Sequence, residues 1–265
     1  MTASDPPSFK SQFLILCFLG YALACLALVF FATEYRLRPP PLEVPVVEAP
    51  DFAAMASIPA RKAAFFAFLQ PLIDAQNSQL QQRRLSVLRI RNSVINGQRL
   101  TEEQQRQLAG LRHNFAIGEE LSPQQAIREL LIRVDELPAA MVLAQAAMES
   151  AWGTSRFARL ANNYFGQWCF SAGCGLVPEK RANGARHEVR RFASAAASVA
   201  AYFHNINTHS AYADVRSLRA LRRRAGQPLE GTVLVAGLER YSSRGTAYIE
   251  ELREIIRTNN LMQYE

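Results

Sequence analysis

The stretch LAQAAMESAWGTSRFA, residues 143–158, sets one carboxylate, Glu149, among alanines and other apolar side chains and closes on Trp152 and Gly153. On a helix, Met141, Gln145, Met148, Glu149 and Trp152 recur at spacings of three, four and seven, so they share a face that reads as core. A charged acid on a core stripe is costly unless it is paired, neutral or needed. Pro138 suits a first helical turn and Gly153 a helix end, which puts Glu149 in the last turn. There the negative end of the helix dipole and an apolar surround both disfavour the ionised form. A carboxylic acid kept protonated near neutral pH can donate its proton, which is what glycoside hydrolysis requires of its general acid. Taken alone, the segment is equally compatible with a structural glutamate satisfied by an arginine or by backbone amides.

Downstream, ANNYFGQW (residues 161–168) supplies paired amides, two aromatics, a glycine and a tryptophan. Amide hydrogen bonds and aromatic faces hold sugars, and a glycine lets a chain approach the backbone closely. Trp152, Asn162, Asn163, Phe165, Gly166 and Trp168 are therefore candidate substrate-binding residues. A buried aromatic loop is the alternative.

The 265 residues are 49% hydrophobic, enough for a sizeable core. Ahead of that core, Phe13 to Ala32 is a 20-residue run without a charge, close to the ~20 residues that cross a bilayer as a helix. It reads as a single-pass anchor in the inner membrane; a cleaved signal peptide ending near Ala22-Leu23-Ala24 is the alternative, but the apolar run continues past that point. Lys10 on one side and Arg36 and Arg38 on the other barely decide orientation. Cys17 and Cys25 lie inside the run, whereas Cys169 and Cys174 are separated by four residues in WCFSAGCG; a disulfide between them would tilt the body of the chain toward an oxidising periplasm, and two free thiols in a reduced compartment are the alternative.

The expected organisation is a tail (1–12), the anchor (13–32), a proline-rich linker (33–58), a helical hairpin region (59–120) and a catalytic domain (121–265). PPPLEVPVVEAP (39–50) favours extended polyproline II and acts as a spacer. Phe65, Phe68, Leu69, Leu72 and Ile73 form one apolar helical stripe. Asn96-Gly97 breaks that helix, and Thr101 with Gln104, then Ser122 with Gln125, are capping-box patterns that start the next two. Pro178, Asn183 and Gly184 suggest a small β-hairpin lobe between Gly175 and Phe192.

The net charge is +7, with arginines clustered at 216, 219, 222, 223 and 224. No zinc-finger spacing, basic leucine-zipper region or RNA-binding aromatic pattern accompanies them, so nucleic acid is not expected as a partner. The cluster reads as a solvated arginine face. The four histidines lack H-E-x-x-H spacing, Cys169 and Cys174 do not form a zinc pair-of-pairs, and no phosphate-cradling glycine loop occurs, so neither metal nor cofactor is expected. His204 and His209 read as helix-end residues.

AQAAMESAWGTSRFARLANNYFGQWCF resembles the signature of the bacterial glucosaminidases of glycoside hydrolase family 73, and its continuation GQWCFSAGCGLVP is similar to the Bax-type group of Gram-negative bacteria. The likeness runs from about Ser122 to Leu261 and takes in RHEVRRFASAAASVAAYFHNINTHSAY and LERYSSRGTAYIEELREII. It implies a mainly helical (α+β), lysozyme-like domain with a cleft, in which Glu149 is the general acid. The bond cut would be the β-1,4 linkage after N-acetylglucosamine in peptidoglycan glycan strands. It also implies that Tyr241 matches a tyrosine that lines the cleft and assists catalysis; from the residues alone Tyr241 is equally a packing residue with a capped hydroxyl. A two-carboxylate mechanism needs a second acid. Glu188 in HEVRRF is the first candidate and Glu179 the second, both with surface ion pairing as the competing role. The substrate's own N-acetyl group, oriented by Tyr241, is the other route.

Overall fold

The computed structural model describes residues 48–179, 181 and 184–265. The expected span at 13–32 and the linker up to residue 47 lie outside them. Among the described residues no helix is long and apolar enough to cross a membrane.

Helix α1 (Ile58–Ile95) starts where the Ser57 hydroxyl accepts the Ala60 N–H, with a proline in its first turn. It stops at Asn96, followed by Gly97 at φ +69°. Helices α2 (Glu102–Asn114) and α3 (Pro123–Arg133) open on the two expected capping boxes, with both reciprocal bonds formed in each. Such a cap is worth about 1 kcal/mol, because it satisfies backbone N–H groups that have no partner in the helix.

Helix α4 (Ala139–Ser150) carries the sequence that decides the fold. Every residue from Ala140 to Ala147 is fully buried, so this helix is apolar almost all round and belongs at the centre. Its alanines let α1, α9 (Thr246–Thr258), α8 (Gly231–Leu234) and the 3-10 turn Leu261–Tyr264 close on it from several sides. Phe65, Leu69 and Ile73 of α1 are buried in the same core as Met141, Leu143 and Leu252. The stretch expected as a hairpin region thus contributes its first helix directly to the core around α4.

Helix α5 (Arg156–Ala161) follows, then a three-stranded antiparallel sheet of β1 (Trp168–Cys169), β2 (Gly175–Leu176) and β3 (Glu188–Arg190) in the order β1-β3-β2. Trp168 pairs with Val189 and Leu176 pairs with the same residue from the other side. The expected hairpin lobe is present, enlarged by β1. The fold is mainly helical, completed by α6 (Ala195–Thr208), α7 (Ala213–Arg224) and the 3-10 segments Ser210–Tyr212 and Val235–Tyr241.

The arginines of α7 are not a solvated face. Arg219 is fully buried and Arg216 nearly so. Arg219 donates to the carbonyls of Ile132, Arg133, Asp135 and Glu136, at the end of α3. Arg216 donates to those of Ile206 and His209, at the end of α6. A helix C-terminus leaves carbonyls unsatisfied and carries partial negative charge, and a guanidinium answers both. His209 also serves a helix end, as its Nδ1 accepts the Ala211 N–H.

Candidate active site

Glu149 sits in the last turn of α4, half-buried, where the backbone turns sharply. Ala151, Trp152 and Gly153 all take positive φ, at 49°, 59° and 76°. Left-handed alanine and tryptophan each cost roughly 1–2 kcal/mol. Two features hold them there: the Ser150 hydroxyl, which accepts the Gly153 N–H at 2.8 Å, and the Phe52 ring, which lies where a Gly153 Cβ would stand.

One oxygen of the Glu149 carboxylate accepts the Tyr248 hydroxyl at 2.9 Å. Tyr248 in turn accepts the Gln145 amide at 2.9 Å, and the Gln145 carbonyl accepts the Tyr202 hydroxyl. The other oxygen faces Gly166, whose φ is +64° and whose hypothetical Cβ would stand 3.3 Å away. Burial is the chief cause that pushes the Glu149 pKa above its ordinary value; the Tyr248 hydroxyl and the Arg244 charge pull it back, and Glu251 pushes it up. Arg244 and Glu251 form an ion pair at 2.5 Å, so their opposing influences are coupled.

Tyr241 stacks on Tyr248, with ring centroids 5.8 Å apart and planes 6° from parallel. Its hydroxyl donates to the Phe165 carbonyl at 2.7 Å. Burial first, then the neighbouring Tyr248 and Glu149, raise the Tyr241 pKa well above normal, so the hydroxyl stays protonated. Tyr241 therefore joins the loop bearing Gly166 to the helix bearing Tyr248.

Several candidate binders have structural work instead. Asn163 is buried, and its amide donates to Gln167 O and Arg190 O while its carbonyl accepts Phe165 N and Gln167 N. All four of its capacities are used in clamping the 163–167 loop to β3, so none is left for a sugar. Asn162 caps α5 in the left-handed conformation and donates to Phe192 O. Phe165 is buried and stacked on Tyr202 at 4.1 Å. Trp152 packs edge-on against Phe65 and Phe66, with the Lys62 ammonium 4.4 Å over its ring. Each of these aromatics or amides looks like a ligand in sequence because a site loop has to be held as firmly as a ligand does. Gly166 does border the acid, and Trp168, 58% exposed, offers its indole to solvent.

Cys169 and Cys174 are joined in a disulfide. The Glu188 carboxylate accepts the N–H groups of Gly173 and Gly175 at 3.0 and 2.8 Å, and these bonds lower its pKa. Glu188 thereby fixes the disulfide loop, and both its oxygens are occupied. Glu179 is exposed and paired with Arg156 at 3.1 Å. The two sulfurs and a Glu188 oxygen lie within 4.8 Å of one another, but sulfurs bonded to each other offer a cation no thiolate. We expect Glu188→Gln to lower the unfolding midpoint by loosening this loop while kcat stays within about tenfold of wild type. Parallel melts and product assays decide it; a loss of several orders of magnitude in kcat would return Glu188 to the chemistry.

Tyr248, Gln145 and Tyr202 form the support of the acid, and sequence reasoning did not assign them to it. One signal was visible: Gln145 is a polar residue on the core stripe four positions before Glu149. Tyr248 lies 99 residues from Glu149, and no local pattern joins them. For Tyr248→Phe we expect the high-pH limb of the activity profile to move upward, because the variant loses a donor that favours ionised Glu149. A merely structural tyrosine would lower activity without moving that limb.

Residues 124–261 match the glucosaminidase family, described as mannosyl-glycoprotein endo-beta-N-acetylglucosaminidase. The match covers more than half of the chain, which therefore belongs to that family. The chain is 34% identical over 200 residues to "Protein bax" of Escherichia coli (strain K12), across 75% of this chain and 70% of that protein. It is thus a Bax-type protein with a glucosaminidase domain. No solved structure matches it.

Proposed function

We propose that the domain is an endo-β-N-acetylglucosaminidase that hydrolyses the β-1,4 bond after N-acetylglucosamine in peptidoglycan strands, with Glu149 as general acid. The observation that carries this reading is the placement of Glu149. It is a half-buried carboxyl whose pKa is raised by burial, oriented by Tyr248, beside a glycine that opens the backbone next to it. Such a group delivers a proton to a glycosidic oxygen at neutral pH. The buried helix that ends in the acid also suits the lysozyme-like arrangement that the resemblance implies.

With Glu188 and Glu179 engaged elsewhere, the route through the substrate's own N-acetyl group has the better support. Tyr241, held against Phe165 O and Tyr248, would line that site. The engagement of those two carboxylates also favours one further reading, a lytic transglycosylase, in which a muramic acid hydroxyl replaces water. For the chain's location we propose that residues 13–32 anchor it in the inner membrane with the domain in the periplasm. The Cys169–Cys174 disulfide suits that compartment, and a cleaved signal leading to a soluble periplasmic form is the alternative.

Mass spectrometry of fragments released from purified peptidoglycan tests the reading, with Glu149→Gln as the control. Reducing N-acetylglucosamine ends that vanish in the variant support hydrolysis. Anhydro ends, lighter by one water, assign the transglycosylase. No release by a folded wild-type protein leaves a non-catalytic wall-binding protein.

A further inference from the structure

Between α1, the end of α2 and α6 lies a cavity of about 420 Å³, a size that suits a small molecule. Leu80, Phe115, Phe203 and Asn207 are its buried lining, and Arg83, His113, Asn114 and His204 stand exposed at its rim. Among the described residues none of these four rim side chains makes a hydrogen bond or an ion pair. Asn207, 1% exposed, donates to the Asp135 carbonyl, while its Oδ1 has no partner. A buried amide oxygen without a donor is costly, so this one calls for a donor from whatever fills the cavity. A second cavity, of about 450 Å³ at the start of α4, differs in that its polar groups already bond to one another: Gln81 to Glu136, and Glu136 to Arg223.

The charge around the first cavity has one sign. Its lining holds no carboxylate. From Ala75 to Ile95, α1 carries four arginines and no acid, and α6 carries no acid at all. Glu102 and Glu103 stand in the first turn of α2, at the other end from His113. Asp135 gives its carboxylate to Arg84, Arg219 and Arg223. Burial first and then the Arg83 charge lower the His204 pKa, so that imidazole is a neutral N–H donor within reach of the guanidinium. We propose that the cavity binds the phosphate monoester of a small polyol, its phosphate held at the rim by Arg83, His113 and His204 and a hydroxyl donating to Asn207 Oδ1 inside. The three donors come from three different helices. The two oxygens of a carboxylate answer two of them, whereas the three terminal oxygens of a phosphate monoester answer all three. The C–H groups of the polyol meet Leu80, Phe115 and Phe203. None of Glu149, Tyr248, Gln145 and Tyr202 lines the cavity, so the site is separate from the acid, and the inference does not rest on the glycosidase reading.

The test is titration calorimetry of the full-length chain, in nonionic detergent, with glycerol 1-phosphate, inorganic phosphate and glycerol. We expect saturable binding of glycerol 1-phosphate, weaker binding of inorganic phosphate and none of glycerol. Arg83→Glu should weaken both phosphate ligands about tenfold or more, as the loss of a charge-assisted contact does. His113→Ala should weaken both severalfold. Asn207→Leu should lower the affinity for glycerol 1-phosphate to that for inorganic phosphate, because only the ester brings a polyol hydroxyl to Oδ1. Thermal melts establish that each variant is folded; if the buried Asn207→Leu does not fold, the two rim variants, at exposed positions, carry the decision. No saturable binding of the ester to the folded wild type overturns the inference. So does an equal affinity for inorganic phosphate, or binding that Arg83→Glu leaves unchanged.

Discussion

Glu149→Gln is expected to lower turnover by about 10²–10⁴-fold, the usual contribution of a positioned general acid, while the protein gains stability at neutral pH. The amide is isosteric and still offers Tyr248 an oxygen, but it has no proton of suitable acidity to give. The stability gain follows from linkage. Burial raises the Glu149 pKa in the folded protein, so the folded state holds its proton more tightly than the unfolded chain. That advantage is complete below the unfolded value and is lost as pH rises through the folded one. The glutamine variant has no such loss. Wild type and variant should therefore converge in acid and separate, in favour of the variant, above the folded pKa. Denaturant titrations across pH measure this beside product release. A variant that is inactive yet no more stable at neutral pH than wild type would mean that Glu149 carries no burial penalty. In wild type, activity should fall as pH rises through the same raised pKa, since the acid must be protonated to act.

Asp135→Ala is expected to cost the largest stability loss of any single substitution considered, about 3–5 kcal/mol. Asp135 is 2% exposed and receives Arg223 at 2.8 Å, Arg84 at 3.3 Å and Arg219 at 3.9 Å. Arg219 is fully buried, and burial outweighs the nearby Asp135 charge to bring its pKa down to about 10. Without the carboxylate its charge keeps its carbonyl partners but loses its counterion. The unfolding temperature should drop by roughly 6–20 °C, given about 2–4 °C per kcal/mol for a domain of this size. Asp135→Asn, which keeps shape and hydrogen bonding, separates charge from packing: a loss close to that of alanine shows that charge dominates. A drop of only a degree or two in both would mean that the carbonyl cage alone suffices for Arg219.

How far the sequence could be read depends on the range of the physics involved. Helix starts and stops were legible at Thr101, Ser122 and Asn96, because a cap is a contact within four residues. The placement of Glu149, partly buried in the last turn of α4, was legible because an acid on an apolar stripe is a local contradiction. The disulfide lay within reach of a short loop. The roles of Asn163, Trp152 and Glu188 were not legible, since each depends on a partner brought in by tertiary folding: Arg190 O, the rings of α1, the amides of Gly173 and Gly175. The same holds for Arg216 and Arg219, whose carbonyl partners belong to other helices. Composition suggests solvent for five arginines in nine residues, and only the packing shows helix ends waiting for two of them.

The position of Phe52 bears on where the polypeptide can be cut. The ring is buried against Phe65 and Phe68 and fills the space behind Gly153, the residue that turns the backbone just after the acid. Helix α1 begins only at Ile58, so a boundary drawn at the first regular element would discard this wedge and open a void under the turn, at a cost of about 3–5 kcal/mol. An excised catalytic fragment has to begin no later than Asp51, inside what its proline content marks as mere linker.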